Sequence, residues 1–233
     1  MYKHKHYVCF PSAKIERGIE CANAWVAKGY IPIVMLDKMP ADEEWPKFDG
    51  GILMTSPETP FPGYYKVINN ICCMAFQHGA DLVTCIGDDM SPDPNKSAQE
   101  IADEYFIHFP EGFGVMQACR DPQGRDAFGT PAAARICGSP AFDRKWFRRG
   151  YGGRGPFCTD YKSFYADEDL WNVAGLCGNL YLNPCLMIFH NHWSFGGMKR
   201  EAYHERAQLN WSHDKRVFMH RKAVGFPGWE PIA

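Results

Sequence analysis

Two adjacent carboxylates, Asp88 and Asp89, directly follow an apolar run in the segment 82–94, LVTCIGDDMSPDP. Neighbouring residues at the end of a strand point to opposite sides, so one carboxylate can bind a divalent cation while the other takes a hydroxyl or a cation-bound water. Such oxygen ligands suit Mg²⁺ or Mn²⁺, which need few protein ligands and complete their shells with water and phosphate oxygens. Because Asp and Pro also form turns, the segment predicts either a metal site or an acidic turn.

A second acidic group, Asp167, Glu168 and Asp169, opens a helical pattern in FYADEDLWNVAG, residues 164–175. A carboxylate there could accept a proton during a reaction. The structural alternative is an acidic first turn, which the helix dipole favours. The pattern leaves both interpretations open.

Two histidines, His190 and His192, lie in IFHNHWSFGG, residues 188–197. On an extended segment, residues two apart face the same side, so both imidazoles could approach one site. Together with Cys177 and Cys185 they form the densest cluster of Cys and His, but no CxxC pair anchors it. We therefore reject a zinc site and keep the histidines as candidates for the carboxylate site.

The elements that must position these residues alternate between strand and helix patterns. Strands are predicted at 6–10, 30–36, 50–55, 80–87 and 112–119, and helices at 14–29, 64–79, 95–109 (with Asn95 as N-cap), 167–176 and 198–222. This order predicts an α/β fold with helices flanking a mostly parallel central sheet. Ligands of such sheets bind beyond the carboxyl ends of the strands. Residues 11–14, Asp37 and the Asp88–Asp89 pair all lie at such ends.

Composition limits the class of protein. The 233 residues are 45% hydrophobic with a net charge of −2, which excludes a global attraction to nucleic acid or acidic membranes. Neither a signal peptide nor an apolar run of membrane-spanning length is present, so we expect no membrane partner. Several of the ten cysteines lie inside apolar runs. Reduced thiols in a cytoplasmic protein are therefore the expectation.

The stretch NNICCMAFQHGADLVTCIGDDMSPDP resembles the nucleotide-binding half of GT-A fold glycosyltransferases of the family 2 type. In that family a helix ending in GAD leads into a strand capped by a DxD-like metal motif, whose first acidic position is Gly87 here. FYADEDL resembles the family's EDxDL segment. The resemblance spans about residues 6–222, and it implies one GT-A domain over 1–233, with a nucleotide and metal half at about 1–119 and an acceptor half at about 120–233.

The resemblance also implies roles for individual residues. Asp89 would bind the metal, Asp88 would face the ribose or a metal-bound water, and a histidine would join them. Asp167 would be the catalytic base, with Glu168 left open for that role and Asp169 structural or facing the acceptor. Contacts to the nucleotide are implied for Pro11, Ser12, Lys14, Asp37, Lys66 and Asn69.

The implied activity is an inverting transfer of a sugar from a nucleotide-diphosphate sugar, assisted by Mn²⁺ or Mg²⁺. The segment DRKWFRRGYGGRG, 143–155, interleaves basic and aromatic residues, so we hypothesise a nucleic-acid acceptor such as a hydroxymethylated pyrimidine in phage DNA. As alternatives, the segment is a lid on the donor diphosphate, and the acceptor is a glycan or small molecule. A metal-dependent nucleotidyltransferase and a non-catalytic binding module are the rival functions.

Overall fold

The first half of the chain forms four parallel strands. In the computed structural model, which describes residues 3–37, 50–56, 62–120, 135–191 and 199–228, these are β1 (His6–Ser12), β2 (Ile31–Leu36), β3 (Ile52–Thr55) and β4 (Leu82–Cys85). Helix α1 (Ile15–Val26) follows β1, and helix α2 (Tyr64–Gln77) precedes β4. All four predicted strands and both predicted helices are confirmed, with ends that move by a few residues.

The rest of the chain extends the same sheet. Its elements are β5 (Met90–Ser91), α3 (Ala98–His108), β6 (Val115–Arg120), β7 (Pro140–Asp143), α4 (Arg144–Arg149), a 3₁₀ turn (Gly150–Gly153), α5 (Ala166–Leu176), β8 (Leu180–Met187), β9 (Phe189–His190), α6 (Ala202–Gln208) and α7 (Trp211–Ala223). The large sheet has the order β3-β2-β1-β4-β7-β6-β8, and β5 pairs with β9 in a two-stranded sheet.

Six of the seven strands of the large sheet run in one direction. Strand β7 is antiparallel to both of its neighbours, β4 and β6, whereas the other pairs are parallel. The predicted α/β class with a mostly parallel sheet is therefore confirmed, while the GT-A assignment stays a prediction. Strands from both predicted halves of the chain belong to this one sheet.

Alternation along the strands builds a core on each face of the sheet. Tyr7 and Cys9 of β1 pack with α2, α5 and Phe218 of α7. Val8 and Phe10 point the other way and pack with α1 and α3. Since neighbouring strand residues point to opposite faces, an uninterrupted apolar run is what a strand covered on both faces requires. Helices therefore flank the sheet on both sides.

Three local predictions are wrong, for different reasons. The N-cap of α3 is Ser97 and not Asn95; Ser97 and Glu100 form a reciprocal capping box. The helix predicted over 198–222 is two helices, α6 and α7. The Gly, Pro and Arg content of residues 120–160 predicts a functional loop region, but the segment 143–155 within it begins at the end of β7 and consists mainly of α4 and the 3₁₀ turn.

Candidate active site at the strand ends

The carboxyl ends of β1 and β4 bring Ser12 and Asp88 together. The two strands are parallel and paired up to Cys9 and Cys85, so the residues beyond them meet at one edge of the sheet. Ser12 Oγ donates a hydrogen bond of 2.6 Å to Asp88 Oδ2. Asp88 therefore lies where the sequence predicts a ligand site, against the last residue of β1.

Arg17 holds the same carboxylate. Its Nε and Nη2 donate to Asp88 Oδ2 at 2.9 and 2.7 Å, and its Nη2 also donates to the Tyr203 hydroxyl at 3.1 Å. Burial raises the pKa of Asp88, although the contacts with Ser12 and Arg17 act in the opposite direction. Charge-assisted hydrogen bonds of this kind fix the orientation of a carboxylate. The Asp88 carboxylate is therefore fixed in place and has little freedom to rotate toward a ligand.

Asp89 faces His190 across the small sheet. The antiparallel pairing of β5 with β9 aligns Met90 with His190, and Asn191 N donates to the Asp89 carbonyl oxygen at 2.9 Å. As a result, His190 Nε2 lies 3.3 Å from Asp89 Oδ2. The second predicted histidine, His192, lies outside the described residues.

Gly87 leaves room for the Asp89 carboxylate. A Cβ atom at position 87 would lie 2.4 Å from Asp89 Oδ1, closer than real contacts allow. Any side chain at that position would push the carboxylate away from its present place. Glycine at the first position of the acidic motif therefore fits the observed geometry.

The chemistry of the Asp89 and His190 pair fits a divalent cation. One carboxylate oxygen and one imidazole nitrogen are suitable ligands for Mn²⁺, and adjacent ligands on an octahedral ion with bonds of about 2.1 Å are about 3 Å apart. The observed separation of 3.3 Å is near that value. Among the described residues, no group of three or more His, Cys, Asp or Glu side chains is arranged to hold a metal. Any ion here would thus have two ligands from these residues.

Asp167 approaches the same site from the first turn of α5. Burial raises its pKa, while the Tyr65 hydroxyl, the Glu168 N–H and the charge of His190 lower it. The Glu168 N–H lies 3.0 Å from Asp167 Oδ1. Burial raises the pKa of Tyr64, and the charges of Asp89 and Asp167 add to that rise. The Tyr64 hydroxyl donates to the Ile86 carbonyl oxygen, just after β4, at 2.7 Å. Two of the predicted groups, the carboxylate doublet and Asp167, are therefore brought together.

Glu168 keeps its place as an alternative base. It is partly buried, and burial together with the neighbouring Asp167 raises its pKa. The charges of Arg135 and Lys222 lower it. Glu168 therefore faces a basic neighbourhood, whereas Asp167 faces the histidine of the strand-end site.

Asp169 has the structural one of the two roles that the resemblance implied for it. Its side chain is fully buried and accepts hydrogen bonds from Tyr151 at 2.8 Å and from Tyr161 at 2.9 Å. Arg221 of α7 adds two more, of 2.6 and 3.0 Å. Four donors occupy both oxygens, so the carboxylate has no capacity left for a substrate. The sequence had left a structural role open for this residue.

Of the remaining nucleotide-site candidates on the strand ends, Lys14 pairs with the N-cap residue of α6 and Asp37 pairs with α6 itself. Pro11 is half-buried in β1, while the exposed Lys14 forms an ion pair with Glu201. Asp37, which follows β2, pairs with Arg206 Nη2 at 3.2 Å. Helix α6 thus lies across the predicted nucleotide loop, and it has no buried residue of its own.

Lys66 and Asn69, the nucleotide-site candidates on α2, differ in their exposure. Lys66 is exposed on the outer side of the helix. Asn69 is buried, donates to the carbonyl oxygens of Arg154 and Phe157, and accepts from Phe157 N. Asn69 therefore fastens the segment after the 3₁₀ turn to α2, which corrects its predicted role.

The basic and aromatic segment 143–155 lacks the stacking surface expected for nucleic acid. Because β7 is antiparallel, its last residue, Asp143, pairs with Leu82 at the amino end of β4, and α4 begins at the sheet edge opposite the strand-end site. Trp146 and Tyr151 are buried, and Phe147 packs against the core. These aromatic rings support the fold, so they are not available to stack on bases, and the DNA acceptor stays a prediction.

Sequence reasoning missed Arg17, Tyr203 and His204. A cation in the first turn of a helix is unfavourable next to the helix dipole unless an acid compensates it. The position of Arg17 at the start of α1 was therefore a usable signal. The charges of Asp88 and Asp89 act on Tyr203 and that of Asp89 on His204, so α6 forms one wall of the site.

Comparison with known proteins gives two structural similarities and assigns no family to the chain. No protein-family model matches the chain, and no curated protein matches it. A197 from STIV is similar at 12% identity with a TM-score of 0.45, over 80% of this chain and 85% of that chain. A glycosyltransferase involved in the glycosylation of the major capsid of PBCV-1 is similar at 9% identity with a TM-score of 0.35, over 60% of this chain and 61% of that chain.

The second match thus spans less than two thirds of the length of that glycosyltransferase. At these identities and TM-scores, neither likeness carries weight for the function of this chain. No helix in the described part of the chain is long and apolar enough to cross a membrane.

Proposed function

We propose that the protein is a glycosyltransferase that moves a sugar from a nucleotide-diphosphate sugar to an acceptor hydroxyl. The observation that carries this proposal is the meeting of two acidic groups at the carboxyl ends of parallel strands. Asp89, 3.3 Å from His190, lies on one side, and Asp167, whose pKa responds to the charge of His190, lies on the other. Ligands of α/β sheets bind at this edge.

The first group suits the diphosphate of the donor. Asp89 and His190 would hold Mn²⁺ or Mg²⁺, which stabilises negative charge on a departing diphosphate when it is bound. Hydrogen bonds from Ser12 and Arg17 fix Asp88, and this helps to hold the neighbouring Asp89 in position. Holding the reacting groups in place in this way is a large part of catalysis by transferases.

The second group suits the acceptor. Asp167 takes the proton of the acceptor hydroxyl while that oxygen forms a bond to the anomeric carbon and the bond from this carbon to the diphosphate breaks. Burial raises the pKa of Asp167, which brings its proton affinity nearer to the range useful for a general base at neutral pH. Attack from the face opposite the diphosphate inverts the anomeric carbon.

The contacts of α6 are compatible with entry of an anionic donor. Lys14 pairs with Glu201 and Asp37 with Arg206, and the Lys14 and Arg206 side chains are largely exposed. Exposed ion pairs contribute about 0–1 kcal/mol each, so a diphosphate can compete for Lys14 at small cost. Donor binding should therefore weaken the contact between α6 and the strand ends.

A thermal-shift screen of nucleotide-diphosphate sugars with and without Mn²⁺ tests the proposal. A ligand present at about 100 times its Kd adds about 2.7 kcal/mol to the free energy of unfolding, which is about 5 °C for a chain of this length. Asp89→Asn should abolish the Mn²⁺-dependent part of the shift. Asp160→Asn, an exposed substitution with the same charge change, is the matched control.

Turnover separates the role of Asp167 from binding. Asp167→Asn should preserve the thermal shift and lower turnover at least about 100-fold. If Asp167→Asn keeps full turnover and Glu168→Gln loses it, the catalytic base is Glu168. Release of pyrophosphate in place of a nucleoside diphosphate would favour nucleotidyl transfer, and the absence of any Mn²⁺-dependent shift across the panel would refute the proposal.

A further inference from the structure

Helix α7 presents a basic outer face. Its inner face packs on the domain through Asp214, Phe218 and Arg221, which are all buried. The outer residues Lys215, Arg216, His220 and Lys222 are exposed, and no exposed residue of the helix is acidic. No described carboxylate forms an ion pair with Lys215, Arg216 or Lys222. On a chain with a net charge of −2, this face is a local concentration of positive charge.

The same region exposes apolar side chains. The described residues include six exposed large hydrophobic side chains, and four of them lie between residues 209 and 224. They are Leu209, Trp211, Met219 and Val224. Met219 is one helical turn beyond Lys215 and about one turn before Lys222, so it lies in the middle of the basic stripe. Exposed apolar residues clustered in this way mark an interaction surface.

We propose that this surface, Leu209 together with the outer face of α7, docks on the surface of an anionic lipid bilayer. A bilayer interface accepts both kinds of side chain at once, because headgroups attract cations and the acyl boundary takes up Leu, Trp and Met. A nucleic acid attracts the cations equally well but offers no apolar phase for the aliphatic side chains. The mixture of charges and aliphatic groups therefore favours the bilayer.

Helix α7 packs on α5, the helix that carries the candidate base. Arg221, on the inner face of α7, donates to Asp169 Oδ2 and Oδ1 at 2.6 and 3.0 Å, two residues from Asp167. The docking does not depend on any reaction. If the proposed function also holds, the acceptor hydroxyl belongs to a molecule held at the bilayer surface, and this consequence rests on the proposed function.

Co-sedimentation of the full chain with vesicles tests the docking without an activity assay. We expect binding to vesicles of phosphatidylcholine with phosphatidylglycerol and much weaker binding to phosphatidylcholine alone. Each cation near an anionic surface changes the partition coefficient by about fivefold, so the double variant Lys215→Gln/Arg216→Gln should bind about 25-fold more weakly. The matched control, Lys3→Gln/Lys5→Gln, removes two exposed cations next to the amino end of β1 and should bind as the parent does.

The apolar contribution has its own variant. Leu209→Ser/Met219→Ser should weaken binding at high salt, where electrostatic attraction is screened and insertion remains. The side chains replaced in the two double variants, Lys215 with Arg216 and Leu209 with Met219, are all exposed. The unfolding curves of both variants should therefore match that of the parent protein. Equal binding to both vesicle types, equal losses in the Lys3/Lys5 control, or no binding at low salt would each overturn the proposal. Tighter binding to an oligonucleotide than to vesicles of equal phosphate concentration would overturn it in favour of nucleic acid.

Discussion

Replacing Asp169 by Asn should destabilise the protein strongly, whereas the same substitution at Asp167, two residues earlier on α5, should not. Asp169 is fully buried and takes both hydrogen bonds from the Arg221 fork, at 2.6 and 3.0 Å, with two tyrosine hydroxyls completing its partners. Asn keeps the shape but removes the negative charge. The guanidinium is then left buried and uncompensated, which costs about 3–5 kcal/mol.

Asp167 responds in the opposite sense. Burial raises its pKa, which means that its ionised form is less favourable in the folded state than in the unfolded chain. Its contribution to stability is therefore largest at low pH and falls as the pH rises. At pH 7, a neutral Asn should leave the free energy of unfolding unchanged or slightly higher.

Urea unfolding of the parent and both variants at pH 7 measures the difference. A loss of about 4 kcal/mol corresponds to about 8 °C in Tm for a chain of this length, so calorimetry gives an independent reading. Adding Arg221→Gln to Asp169→Asn should restore part of the loss, since no unpaired charge remains. Equal losses in the two single variants, or a silent Asp169→Asn, would refute the division of these acids into structural and functional.

Three further predictions concern single side chains. Tyr65→Phe removes an interaction that lowers the pKa of Asp167, so the acidic limb of the pH–rate profile should move to higher pH; an unmoved limb would exclude Asp167 as the base. Gly87→Ala should displace the Asp89 carboxylate and weaken Mn²⁺-dependent donor binding by about tenfold or more in calorimetry, and unchanged affinity would contradict the crowding. Burial lowers the pKa of His6 to about 4. Unfolding free energy should therefore fall by about 3 kcal/mol as the pH drops from about 6.5 to about 4, and His6→Gln should flatten that slope in urea titrations.

The sequence predicts the first half of the sheet well because burial on both faces leaves a clear signal there. Strands β1, β2 and β4 are apolar runs bounded by turn residues or carboxylates, and α1 and α2 end near glycines. Strands β7 and β8 give no such signal. Strand β7 has four residues and begins at Pro140, and β8 contains Asn183 and Pro184 without alternation. Pro184 is tolerated because β8 is an edge strand of the sheet.

The site is predictable where it depends on strand ends and less so where it depends on distant contacts. The doublet Asp88–Asp89 follows from the local pattern alone. His190 of β9 was expected at that doublet from the pair of histidines, and it lies 3.3 Å from Asp89. Arg17 and Tyr203 come to Asp88 from α1 and α6, and no local rule specifies which residues of those two helices will meet it. Only the unusual cation at the start of α1 could have suggested a partner for Asp88.

The acids of α5 show what helical periodicity adds to composition. Residues two apart on a helix point about 200° apart, so Asp167 and Asp169 cannot face the same surface. The apolar residues Ala166, Leu170 and Val173 are buried, and they define the inner face of α5. Asp169 lies three residues after Ala166 and four before Val173, on that inner face, and so must be buried and paired. Asp167 lies about 100° from Ala166 around the helix, at the border of that face, where it is partly buried. The periodicity therefore removes Asp169, but not Asp167, from the candidate base positions.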